Sequence, residues 1–130
     1  MKRNVYITRL SKFLPNDPVS NEEMEDILGL INGLSSKAKP LILRNNQIKT
    51  RYYALDKNGN ATHSNAELTK RAVENLFDEK FGLKDVDVLS CGTSSPDQIL
   101  PAHAAMVHGL LGGERIEINS STGACSAGVQ

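Results

Sequence analysis

The sequence has no tryptophan, only two cysteines in 130 residues, no net charge and no long apolar run. No stretch approaches the roughly 18 consecutive apolar residues of a membrane-spanning helix. Met1-Lys2-Arg3-Asn4 leads into a short alternating segment, not into the apolar core of a signal peptide. The chain is therefore read as cytoplasmic, with no membrane partner. Fifteen Lys and Arg balance fifteen Asp and Glu, so no global field draws it to nucleic acid, and any charge argument must be local. Cys91 and Cys125 lack CxxC spacing, and a reducing cytosol disfavours pairing them. His103 and His108 fall about 140° apart around a helix and do not share a face as ligands at i and i+4 would. No metal site is expected, and both are read as helix-surface or packing histidines, with His63 a loop residue.

What is present reads as one domain of alternating strands and helices. Val5–Leu10 is apolar with β-branched and aromatic residues, the pattern of a first strand, and Pro15-Asn-Asp-Pro18 closes it. Ser20 and Glu23 form a capping box ahead of Met24, Ile27, Leu28 and Ile31, spaced as one helical face, with Gly33 beyond the end. Lys37, Lys39, Arg44, Lys49 and Arg51 follow in a stretch with no carboxylate between Asp26 and Asp56. That basic segment is either a solvated loop or an anion site for a phosphate-bearing ligand or an acidic protein surface.

Asp56-Lys-Asn-Gly-Asn60 is turn chemistry. Ser64 and Glu67 form a second capping box before Leu68, Ala72, Val73, Leu76 and Phe77, with Gly82 as the stop. Asp85–Cys91 is a strand followed by the Gly92–Pro96 loop; Ala102–Leu111 is a helix of small residues behind Pro101; Arg115–Asn119 is the closing strand. Setting aside the first helix and the basic segment as an insertion, the order is strand, helix, strand, helix, strand. That order predicts an α/β fold with a mostly parallel sheet and alternating helices. Ligands in such sheets collect at the carboxyl ends of the strands, here the Gly92–Pro96 loop and the turn around Cys125.

Gly123-Ala-Cys125-Ser-Ala-Gly128 sets one sulfur among residues with almost no side chain. Small flanks let the backbone bend sharply and let a carbonyl reach the thiol, which is the steric logic of a nucleophile elbow. A free thiol near pKa 8.5 is only about 3% thiolate at pH 7, and a helix amino terminus can raise that share. The same turn can offer a backbone N–H to an oxyanion. Cys125 is therefore the candidate nucleophile. Cys91 sits inside a strand and is read as core. Ser120, Ser121 and Thr122 have no Ser/His/Asp order to accompany them and are read as turn residues.

Three segments together, Gln47-Ile-Lys-Thr-Arg-Tyr52, Asp87–Ser95 running to Leu100-Pro101, and Ser121–Gly128, resemble the amino-terminal part of the β-ketoacyl-acyl-carrier-protein synthase III group of thiolase-like condensing enzymes. The resemblance implies a partial thiolase-like fold ending just after the nucleophile Cys125. It implies that Cys125 takes an acyl group from acyl-coenzyme A, a substrate and not a cofactor, and that the acyl-enzyme condenses with malonyl-acyl carrier protein as carbon dioxide leaves. Lys49 and Arg51 match basic residues near the coenzyme A and carrier-protein approach, and Leu100 matches a bulky residue that crosses a dimer interface. Gln47 stands where the family usually has Gly, and no tryptophan is present to stack on adenine.

The family's catalytic His and Asn fall beyond Gln130. Residues 1–130 are thus expected to be an incomplete amino-terminal domain, inactive alone, and a likeness to homodimers implies a second copy or a complementing chain as partner. Two other readings stay open. One is a non-enzymatic carrier-protein-binding or assembly module that uses the basic segment and ignores Cys125. The other is a cysteine-nucleophile α/β-hydrolase, which needs Asp and His after the nucleophile.

Overall fold

The computed structural model describes residues 4–113 and 115–123, which form two compact units. One is Leu14–Ser64; the other joins residues 4–13 to the described residues from Asn65 onward. The first contains the helix and basic segment read as an insertion from the element order.

Residues 14–64 hold β1 (Val19–Ser20), α1 (Met24–Leu28), α2 (Lys39–Asn46) and β2 (Thr50–Arg51). The Ser20–Glu23 box forms in both directions: Glu23 N–H donates to Ser20 Oγ at 3.3 Å, and Ser20 N–H donates to Glu23 Oε2 at 3.0 Å. The helix is shorter than its apolar spacing suggests. It stops at Gly29, whose φ of 79° is left-handed, so Ile31 leaves the helical face. Asn32 and Gly33, both at positive φ, then make a tight turn in which Ile31 and Leu34 exchange both backbone hydrogen bonds at 3.0 Å. Gly33 is thus a turn residue and not a helix stop.

About half of the basic segment is not loop but helix α2, with Pro40 in its first turn, where the missing N–H costs nothing. Glu25 ties α1 to α2 by accepting from Ser35 Oγ, Ser36 N–H and Lys39 Nζ at 2.7, 3.0 and 3.0 Å. β1 and β2 pair antiparallel, Val19 with Arg51 and Ser20 with Thr50. Pro15 is the only buried residue among residues 14–64, so this unit is held by polar contacts and turns.

The other unit holds α3 (Asn65–Glu74), a 3₁₀ turn (Leu83–Asp85), β3 (Val88–Thr93), α4 (His103–Leu111) and β4 (Glu117–Thr122). β3 and β4 run parallel in continuous register, from Val88 opposite Glu117 to Thr93 opposite Thr122. Side chains alternate across β3, so Leu89 and Cys91 turn inward. They join Ala66, Ala104 and Val107 in a small core that Val73, Met106, Leu111 and Ile116 flank. α4 packs on both strands and on α3. Gly112, at φ 62°, ends α4 where the sequence places its stop. α3 ends at Glu74, short of the expected Phe77, in a turn whose bonds include Leu76 N–H to Val73 O at 2.9 Å.

Val5–Leu10 is not a strand. Val5, Ile7 and Leu10 are 94, 84 and 87% exposed, because a strand needs a ladder partner and β3 and β4 bond only each other among the described residues. The segment is strapped to the end of α3 instead. Arg9 pairs with Asp78 at 2.5 Å and lies 5.0 Å over the Phe81 ring, while Asn75 Nδ2 donates to Lys12 O at 3.0 Å. The Arg9 guanidinium is the main reason the Asp78 carboxyl is held below its usual range. The mostly parallel sheet expected is, among the described residues, one parallel pair and one short antiparallel pair.

The amino end of α3 is capped from a distance. Asp97 accepts from Asn65 N–H at 2.7 Å and Ala66 N–H at 2.8 Å, taking two of the amides a helix start leaves unpaired. Asp97→Ala is expected to cost about 1–2 kcal/mol, the usual range for losing a cap, read as a lower midpoint in urea unfolding; an unchanged midpoint contradicts the cap.

Candidate functional site

Because β3 and β4 are parallel and in register, their carboxyl ends leave the sheet side by side at Thr93 and Thr122. The loop after β3 is fixed by α3. Asn65 Nδ2 donates to Thr93 Oγ1 at 3.0 Å and to Ser95 O, and Ser95 N–H also donates to Thr93 Oγ1 at 3.1 Å. On the β4 side, Ala104 N–H at the start of α4 donates to Ser120 Oγ at 3.2 Å. The first residues of α3 and α4 thus brace the two strand ends.

Cys125 lies outside the described residues, three positions past Thr122 in sequence. Cys91 is placed as read: it is 6% exposed in the core, and burial pushes its thiol up, away from reactive thiolate. Lys49 is exposed between α2 and β2, and Arg51 is half-buried on β2, its Nη1 donating to Asn21 Oδ1 at 2.8 Å. Asn21 in turn donates to Ile48 O at 3.0 Å, so one asparagine holds both the backbone before Lys49 and the Arg51 head. Leu100 belongs to the other unit, 80% exposed in the loop before α4.

His103 is a packing residue, 2% exposed, and His108 and His63 are half-buried. Among the described residues no group of three or more His, Cys, Asp or Glu is placed to hold a metal. One cleft lies at the opposite, amino ends of β3 and β4, lined by Lys84, Asp87, Arg115 and Glu117 among others. A second, in residues 14–64, is lined by Asp17, Glu23, Asp26 and Asp56 among others. Neither includes Lys49, Arg51 or Leu100 in its lining.

Sequence reasoning missed Asn65 and Asp97, which build the frame of the site. The capping box pointed to Ser64 and Glu67 as the local solution, and the contact between Asp97 and Asn65 is 32 residues long. The Ser-Ser-Pro-Asp turn was the available signal, since Asp after Pro in a loop often serves a nearby helix start.

No family model matches the chain. Its fold is similar to a solved condensing enzyme, the tetronic acid condensing enzyme AbyA1, with a TM-score of 0.65 and 24% identity over 91% of this chain and 35% of that one. Two curated relatives carry the name β-ketoacyl-[acyl-carrier-protein] synthase III. The one from Granulibacter bethesdensis is 33% identical over 116 residues, covering 88% of this chain and 32% of that protein. The one from Streptococcus sanguinis is 25% identical over 122 residues, covering 92% and 33%. The chain thus resembles β-ketoacyl-acyl-carrier-protein synthase III, as its motifs indicated, and spans about a third of the length of the curated relatives it matches.

Gln47 caps the carboxyl end of α2 at φ 56°. That left-handed conformation costs a residue with a Cβ roughly 1–2 kcal/mol and costs Gly far less. Gln47→Gly is expected to stabilise residues 14–64 by about 0.5–1 kcal/mol, after the added chain entropy of Gly is subtracted. Slower amide hydrogen exchange across α2 is the readout, and faster exchange would count against it.

Proposed function

We propose that this chain is the amino-terminal third of a thiolase-like condensing enzyme of the β-ketoacyl-acyl-carrier-protein synthase III kind, and that Cys125 is its acyl acceptor. The observation that carries the reading is the parallel β3–β4 pair, which runs directly into the Gly123–Gly128 segment within a chain similar over 88% of its length to a protein of that name. In this reaction the Cys125 thiolate attacks the thioester carbonyl of acyl-coenzyme A. The C–S bond to coenzyme A breaks, coenzyme A leaves as a thiolate that takes a proton from solvent, and the acyl group stays on Cys125. Malonyl-acyl carrier protein then loses carbon dioxide, and its α-carbon attacks the Cys125 thioester. A new C–C bond forms and the cysteine thiolate is released.

Lys49, exposed beside α2, and Arg51, oriented by Asn21, are proposed to meet the phosphates of coenzyme A or the acidic carrier protein. Leu100, 80% exposed ahead of α4, is proposed to reach a second copy across a homodimer interface. A cytoplasmic setting fits both substrates, and among the described residues no helix is long and apolar enough to cross a membrane. Because the family's catalytic His and Asn follow its cysteine beyond position 130, the 130-residue chain alone is proposed to be inactive in condensation.

Incubation of the full-length protein with acyl-coenzyme A is expected to add one acyl mass, seen by intact mass spectrometry, that Cys125→Ala removes. Acylation that persists in Cys125→Ala refutes the assignment.

A further inference from the structure

We propose that Asn32-Gly33, in the connection between α1 and α2, is a self-modification site at which the folded chain closes a succinimide and loses ammonia. An Asn-Gly pair sets two reactants side by side, a side-chain carboxamide and the backbone nitrogen of a residue with no Cβ to shield it. The sequence holds two such pairs, Asn32-Gly33 and Asn58-Gly59, and both are exposed. Their turns make them chemically different.

Ile31 and Leu34 exchange both backbone hydrogen bonds at 3.0 Å, with Asn32 at φ 52° and Gly33 at φ 75° between them. A two-residue hairpin loop with both central residues at positive φ is a type I′ turn. Closing the five-membered ring needs the Gly33 nitrogen eclipsed with Asn32 Cβ. That sets the Asn32 ψ near −120°, which is about the value a type II′ turn has at its first central residue, with φ about +60°. Asn32 already has that φ. Flipping the single peptide plane between Asn32 and Gly33 therefore reaches the reactive geometry, and the Ile31 and Leu34 bonds stay in place because they belong to the flanking peptides. Among the described residues neither the Gly33 N–H nor the Asn32 carboxamide has a hydrogen-bond partner to lose.

Asn58-Gly59 is held shut. Gly59 N–H donates to Asp56 O at 3.1 Å, Asn58 N–H donates to Asp56 Oδ1 at 2.8 Å, and Asn60 gives its N–H and Nδ2 to the same carboxylate at 2.8 and 3.0 Å. Asn58 does not have positive φ. Turning its peptide leads to no type II′ turn and first breaks the Gly59 bond.

The step needs only water. The Gly33 nitrogen bonds to Asn32 Cγ and gives its proton to solvent base, while the Cγ–Nδ2 bond breaks and ammonia leaves. Water then adds to one imide carbonyl. Opening at Cγ leaves an aspartate at position 32, and opening at the main-chain carbonyl leaves an isoaspartate, whose backbone is longer by a carbon. Either product puts a negative charge into a stretch that has no carboxylate between Asp26 and Asp56. The isoaspartate also breaks the two-residue spacing that pairs Ile31 with Leu34.

The test incubates the full chain at mildly alkaline pH, folded or in urea, and follows the tryptic peptides holding Asn32 and Asn58 for the mass gain of NH2-to-OH exchange. In the folded chain Asn32 is expected to lose its amide about tenfold faster than Asn58, the factor at the upper end of what one backbone hydrogen bond supplies. In urea the two rates are expected to converge. Asp56→Ala is expected to raise the Asn58 rate and leave the Asn32 rate unchanged. Equal rates in the folded chain, or a faster Asn58, overturn the proposal. So does a preference for Asn32 that persists in urea, which would then belong to the local sequence and not to the turn.

Discussion

The parallel register of β3 and β4 is the constraint on which the rest of the larger unit depends. Parallel neighbours cannot be joined by a tight turn, so residues 94–116 must leave the sheet at Thr93, cross its face and return to its starting edge. α4 makes that crossing and supplies Val107, the largest fully buried side chain among the described residues. Slippage by one residue would turn Leu89 and Cys91 to the open face and empty the core. The same register delivers the ends of both strands to one edge. Asn65, Asp97 and the start of α4 brace that edge, which is where chemistry with Cys125 is proposed.

Residues 14–64 are built on a different principle. With Pro15 alone buried, they rely on Asn and Asp side chains that stand in for core. Asn16 donates to Tyr53 O, Leu55 O and Thr62 Oγ1, and Asp56 gathers Asn58 and Asn60 N–H. The Ser35 hydroxyl, the Ser36 amide and Lys39 hold the Glu25 carboxyl at about 2, so this clasp between α1 and α2 keeps its charge well below neutral pH. The network also sorts the five cations. Lys39 is bound by Glu25 and Arg51 is aimed by Asn21, while Lys37, Arg44 and Lys49 are exposed.

Local chemistry was legible in the sequence where the deciding contacts are short. The Ser20–Glu23 box, the Asp56–Asn60 turn, the end of α4 at Leu111 and the core place of Cys91 all follow from neighbours a few residues apart. Errors arose where a local pattern had two meanings. Ile31 fits a helical face, but Asn32-Gly33 makes it the edge of a tight turn, and Gly29 ends the helix first. Leu41, Ile42 and Leu43 lack amphipathic spacing, so α2 was hidden in a run of charges. Val5–Leu10 reads as a strand from its own residues, yet strand formation is decided by whether another strand lies beside it. The frame around the ends of β3 and β4 was not legible, since Asn65, Thr93 and Asp97 meet only through the fold.

The central claim is that the ends of β3 and β4 present Cys125 for acylation. A crystal structure of the full-length protein after exposure to acyl-coenzyme A tests it most directly. The account predicts a thioester on the Cys125 sulfur at the edge formed by Thr93 and Thr122. An acyl group on another residue, or a Cys125 packed away from that edge, would contradict it.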